Sequence, residues 1–114
     1  MSTSHEWNSE VNQVVQNLSH LIQAETINPP GNELPAILLV RDILVGAGIP
    51  DEMFTIVESA PNRVNLVARL RGDGSERPLL LSGHVDVVPV EREHWSHDPF
   101  GGEVIDGVIW GRGA

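Results

Sequence analysis

Pro78-Leu79-Leu80-Leu81 runs directly into Ser82-Gly83-His84-Val85-Asp86-Val87-Val88-Pro89, so an apolar stretch ends on a histidine and a carboxylate two residues apart. On an extended strand, side chains at i and i+2 share a face, which lets His84 and Asp86 point into one cleft. A carboxylate beside an imidazole accepts one ring N–H and leaves the other nitrogen for a metal ion. Gly83 removes a side chain next to the histidine, where a ligand or another backbone would approach. The pattern points to metal chemistry, with His84 as ligand and Asp86 as the site carboxylate that orients it.

The sequence has no cysteine, which excludes disulfides and thiolate zinc sites, so a metal here must be held by His, Asp or Glu. His94 and His97, with Glu91, Glu93 and Asp98, form a second candidate cluster. Their spacing is loose, and the segment reads first as a solvated charged loop. His5 and His20 lie on or beside a helix and read as surface residues. Trp95, Phe100 and Trp110 are either pocket walls or, more simply, aromatics that pin a Pro/Gly-rich loop to the core. Arg112 is a candidate for binding a substrate carboxylate, although an arginine in a Gly-rich turn more often tethers nearby carbonyls or carboxylates. Gly111-x-Gly113 is too short for a nucleotide loop and lacks its context.

The formal charge of −9 comes from seven arginines, with no lysine, against sixteen carboxylates. Nucleic-acid and anionic-membrane surfaces need clustered cations, so neither partner is expected. The polar start, Met1 to Trp7, lacks a basic region followed by an apolar stretch, and no run reaches the length of a membrane span. A cytoplasmic location is the expectation.

Several elements must position the pair. Val11, Val14, Val15, Leu18, Leu21 and Ile22 recur at helical spacing, with Thr3 and Glu6 at capping-box spacing before them. That helix must stop before Asn28-Pro29-Pro30. A second helix is predicted from about Glu33 to Gly46, with Asn32 as its cap, Pro35 in its first turn and Gly46 and Gly48 as stop signals. Met53 to Glu58 reads as a strand, and Ala60-Pro61-Asn62 as a turn. Arg63 to Arg71 then alternates, with Val64, Leu66, Ala68 and Leu70 on one face and the arginines on a wet one that would resist strand pairing. Leu79 to Ser82 lacks alternation and reads as a central strand buried on both faces. Asp106-Gly107, between Glu103-Val104-Ile105 and Val108-Ile109-Trp110, signals a two-residue hairpin. The fold class is α/β: two helices, then a mixed β-sheet with His84 at the carboxyl end of its most buried strand, where open α/β sheets bind ligands.

Four motifs stand in order with a matching early loop, Pro29-Pro30-Gly31-Asn32-Glu33. They are the Ser82–Pro89 block, Trp95-x-x-Asp98-Pro99-Phe100, Asp106-Gly107 and Gly111-Arg112-Gly113-Ala114. Together they resemble the dinuclear-zinc metallopeptidase and amidohydrolase family that includes aminoacylase, acetylornithine deacetylase, succinyl-diaminopimelate desuccinylase and carboxypeptidase S. The resemblance implies an α/β zinc-peptidase domain that carries a smaller lid or dimerisation domain. Residues 1–114 would be the amino-terminal portion of that single catalytic domain.

It also implies that His84 binds one of two zinc ions while Asp86 orients it, in an enzyme that is a homodimer and cleaves amide bonds of N-acyl amino acids or short peptides. Cobalt or manganese also suits such donors. In the family, the Gly-Arg-Gly-Ala block leads, after one more residue, to an aspartate that bridges the metals. The general-base glutamate, the other carboxylate ligands and a late histidine follow further downstream. The chain ends at Ala114, before all of these. A catalytic zinc ion takes three protein ligands and an open position. The expectation is therefore an amino-terminal fragment that is inactive in isolation. The rival expectations are a stand-alone non-catalytic remnant or interaction module, and a small metal-binding protein that joins His84 and Asp86 to the His94/His97 loop.

Overall fold

A computed structural model describes residues 4–114, with side chains from residue 8 onward. The Thr3/Glu6 capping box and His5 lie outside what is described. Helix α1 spans Ser4–Gln23 and α2 spans Leu34–Gly46. Strands β1 (Phe54–Ala60) and β2 (Arg63–Ala68) form one antiparallel pair, and β3 (Glu103–Ile105) and β4 (Val108–Trp110) form another. The chain has the α/β character expected, two helices followed by small sheets.

Local chemistry explains the boundaries. The last turn of α2 closes as a Schellman motif: Ile49 N–H donates to Leu44 C=O at 3.1 Å and Gly48 N–H to Val45 C=O at 2.9 Å, with Gly48 at φ +98°. At the other end, Asn32 is not the cap. Glu33 occupies that position and makes no side-chain cap. The Asn62 carbonyl, in the β1–β2 turn, instead accepts the N–H groups of Glu33 (2.9 Å) and Leu34 (3.3 Å). A backbone acceptor from a neighbouring hairpin thus satisfies donors that a helix start leaves orphaned. This also docks α2 on β2, where Ala36, Ile37 and Val64 are buried. The β3–β4 turn has Asp106 and Gly107 both at positive φ, as the two-residue signal requires.

The central strand is not formed. Leu79, Leu80 and Leu81 are extended but 83%, 86% and 84% exposed, and no strand pairs with them among the described residues. A central strand needs neighbours on both sides, and its apolar run cannot supply them. The α1 stripe is likewise only partly covered: Ile22 is buried, while Val11 and Val14 face solvent. The radius of gyration, 16.5 Å, reflects this openness; a compact chain of this length has about 13 Å.

The loop that precedes β3 is fastened to α1. Ser19 Oγ donates to the Gly102 carbonyl at 2.7 Å and Gln23 Nε2 to the Gly101 carbonyl at 2.9 Å. Gly102 sits at φ +61°, and a Cβ there would lie 2.6 Å from the Ser19 carbonyl oxygen. Gly102→Ala should therefore cost about 1–3 kcal/mol in a urea melt. Leu80→Glu, at a site without packing, should stay within about 0.5 kcal/mol of wild type and reduce light scattering from self-association.

Candidate functional site

After α1, the chain turns through Ala24 and Glu25 and runs parallel to the segment that carries the pair, with Ile27 bridging Val87. Val87 N–H donates to the Thr26 carbonyl (3.0 Å) and Asn28 N–H to the Val87 carbonyl (2.8 Å), while the buried Thr26 hydroxyl donates to the Val85 carbonyl. These bonds hold residues 85–87 extended, so His84 and Asp86 come to one side, as their spacing predicts.

His84 Nδ1 lies 3.0 Å from Asp86 Oδ1 and 2.9 Å from the Asp86 carbonyl oxygen. Both neighbours are pure acceptors, so Nδ1 carries the proton and a neutral ring presents the Nε2 lone pair. The histidine side chain is 83% exposed and the aspartate side chain 32%. Asp86 Oδ2 accepts from Asn28 Nδ2 at 3.0 Å. That bond and the one from His84 hold the Asp86 carboxyl below its ordinary value of 3.8. The chemistry this allows is donation of one imidazole nitrogen to a cation, from a ring fixed by a carboxylate behind it.

Behind Asp86 stands a second polar layer. Arg63 Nε pairs with Glu33 Oε2 at 3.0 Å, Nη1 reaches Asn28 Oδ1 at 3.4 Å, and Nη2 lies 3.9 Å from Asp86 Oδ2. Arg63 is therefore not on a solvated edge: it is half-buried against a carboxylate that is itself 7% exposed. Asn28, Glu33, Arg63 and Thr26 are contributors that periodicity does not reveal. Glu33 and Arg63 lie thirty residues apart, and their only shared signal is a buried-type turn loop facing an arginine-led strand.

The other candidates separate. His97 packs on Trp110, with ring centroids 4.4 Å apart, while His94 Nδ1 pairs with Glu91 Oε2 at 2.9 Å. Glu91, Glu93 and His94 can each bring one donor atom within 4.8 Å of the others, but all three are exposed, and neither His97 nor Asp98 is part of the group. Phe100 is buried under the Arg92 guanidinium, and Arg112 lies 5.2 Å over the Trp95 ring, so the aromatics pin their loop. Arg112 tethers through this stacking, and its Nε is buried without a partner. No neighbour approaches the Cβ position of Gly83. A cleft of about 280 Å³ joins His84, Asp86 and Arg112 to the apolar side chains of Leu18, Leu21 and Ile22.

Residues 80–114 match the family model described as Peptidase family M20/M25/M40. That segment is similar to M20-family sequence. The match begins at Leu80 and takes in His84, Asp86 and the Gly111–Ala114 turn. Over 96 residues the chain is 42% identical to a succinyl-diaminopimelate desuccinylase of Cereibacter sphaeroides, which is 82% of this chain and 23% of the relative. It is 40% identical over 97 residues to the enzyme of that name from Xanthobacter autotrophicus, covering 84% and 25%. The corresponding figures for Methylorubrum extorquens are 41% over 97 residues, 82% and 24%. The chain thus spans about a quarter of the length of the curated relatives it matches.

The lowered pKa of Asp86 has a signed consequence. Its stabilising contribution is present above the ordinary value of 3.8 and is lost as pH falls through the lower folded value. Urea melts from neutral pH down through that range should show wild type losing stability on its acid limb, and Asp86→Asn losing less over the same interval.

Proposed function

We propose that residues 1–114 are the amino-terminal portion of the catalytic domain of an M20-type amidohydrolase, to which they contribute one metal-binding histidine and its orienting carboxylate. The observation that carries this reading is the contact of His84 Nδ1 with two acceptor atoms of Asp86, which leaves Nε2 free on an exposed ring. The donor set fits a zinc site in part: it offers one imidazole with its supporting carboxylate, where a catalytic zinc takes three protein ligands. A bound zinc ion would polarise an amide carbonyl and lower the pKa of a bound water.

This chain's own residues hold and orient one ligand, beside a cleft lined in part by apolar side chains. The substrate class that suits the reading is an N-acyl amino acid or short peptide. The removal of a succinyl group from succinyl-diaminopimelate is the first reaction to try, on the names of the relatives. With a single imidazole donor at this site among the described residues, the isolated chain should not turn over.

The test is a zinc titration of the 114-residue chain followed at the His84 ring nitrogens, beside an assay for succinate release. The expected result is weak, millimolar-range binding read at Nε2, lost in His84→Ala, with no hydrolysis above background. Binding that survives His84→Ala would move the metal to the Glu91–Glu93–His94 cluster and defeat the assignment. Turnover by the chain alone would defeat its reading as an incomplete site.

A further inference from the structure

Glu33 and Arg63 lie outside the His84–Asp86 pair, yet Glu33 is among the most buried charged groups described. We propose that Arg63, anchored by Glu33, is a positioning residue that sets the tautomer of His84 through Asn28 and Asp86. The functional meaning of this relay rests on His84 being a metal ligand; its existence does not.

The order of donors and acceptors leaves little freedom. A buried carboxylate must keep its cationic partner, so Glu33 holds Arg63 Nε at 3.0 Å. Gly31 makes room for this pair, because a Cβ there would lie 2.6 Å from Arg63 Nε. A guanidinium has five N–H donors and no acceptor, whereas an ionised carboxylate only accepts. The Asn28 amide sits between one of each. Its oxygen must face Arg63 Nη1, at 3.4 Å, and its NH₂ must face Asp86 Oδ2, at 3.0 Å. A flipped amide would set donor against donor and acceptor against acceptor, so the charges at its two ends decide its orientation. With Oδ2 held by Asn28 and flanked by Arg63 Nη2, Oδ1 is left for His84 Nδ1, which also meets the Asp86 carbonyl oxygen at 2.9 Å, so both acceptors at that nitrogen belong to the residue the network anchors. Arginine suits this place because its planar fork addresses three acceptors at once, which a lysine point charge cannot do.

A merely structural ion pair would fasten the 28–33 loop to β2 and leave the imidazole indifferent. Long-range ¹H–¹⁵N spectra of the metal-free chain, recorded on the neutral imidazole, separate the two cases. Wild type should show His84 predominantly with its proton on Nδ1. Arg63→Met keeps an apolar stem for packing and removes the fork; it should shift His84 toward the Nε2–H form that an unconstrained imidazole prefers. Arg69→Met, outside the network, should leave the tautomer unchanged.

Should Arg63→Met lose its dispersed amide spectrum, Asn28→Ala decides. It keeps the backbone bond to Val87 and breaks the relay at its centre, so the same shift is expected. An unshifted Nδ1–H form in folded Arg63→Met or in Asn28→Ala overturns the proposal. So does a wild-type chain without that preference, or an equal shift in Arg69→Met. Because no metal is present, a shifted tautomer together with an absent zinc response would uphold the relay and strike only the ligand assignment.

Discussion

The parallel clip between Thr26–Asn28 and Val85–Val87 is the constraint on which the site depends. Two backbone hydrogen bonds and one from the Thr26 hydroxyl join the end of α1 to a segment almost sixty residues further on. Each such bond nets only about 0.5–1.5 kcal/mol. Together they fix the pleat of residues 85–87, and the pleat decides which way Asp86 points. The same clip carries Asn28 to Asp86 and, through the loop that follows, brings Glu33 under Arg63. Without it, His84 would end a solvent-exposed run with nothing to aim it.

Order in this molecule is concentrated around polar contacts rather than a large apolar core. The buried apolar residues described are Ile22, Ala36, Ile37, Val64 and Phe100, while Leu79 to Leu81 stand in solvent. The alternation of carboxylate, guanidinium, amide, carboxylate and imidazole gives each group in turn a complementary partner. Low exposure at its Glu33 end strengthens such contacts, and it makes an unpaired charge there costly. Toward His84 the chain of contacts opens to water, leaving the outer edge of the ring accessible. The chain thus carries a half-buried inner support and an accessible outer group.

What was legible in the sequence was what neighbours in the chain decide. Asp106-Gly107 produced its hairpin because both central residues tolerate positive φ, and Gly48 ended α2 because it can take the left-handed conformation of a Schellman motif. The motifs around His84 and Asp86 carry the similarity to the M20 family model, and the i, i+2 spacing brought the two side chains together as an extended backbone dictates. Elsewhere local pattern misled. Asn32 looks like a helix cap, but the Asn62 carbonyl had already satisfied the donors it would serve. Leu79 to Leu81 have the composition of a central strand, yet composition cannot supply the strands on either side. Arg63 reads as one of several arginines on a wet face, because nothing nearby in sequence shows that Glu33 waits beneath it.

By itself, then, the sequence determined turn types, where α2 ends, the family resemblance and the juxtaposition of His84 and Asp86, all of which depend on side-chain type at short spacing. Only the tertiary structure decided which polar residues stand behind that pair. Asn28, Glu33, Arg63 and Asp86 come together through contacts that span 30, 35 and 58 residues, brought there by the clip to Val87 and by the docking of α2 on β2. Long-range hydrogen bonds of this kind follow from backbone placement in three dimensions, and no periodicity along the chain encodes them.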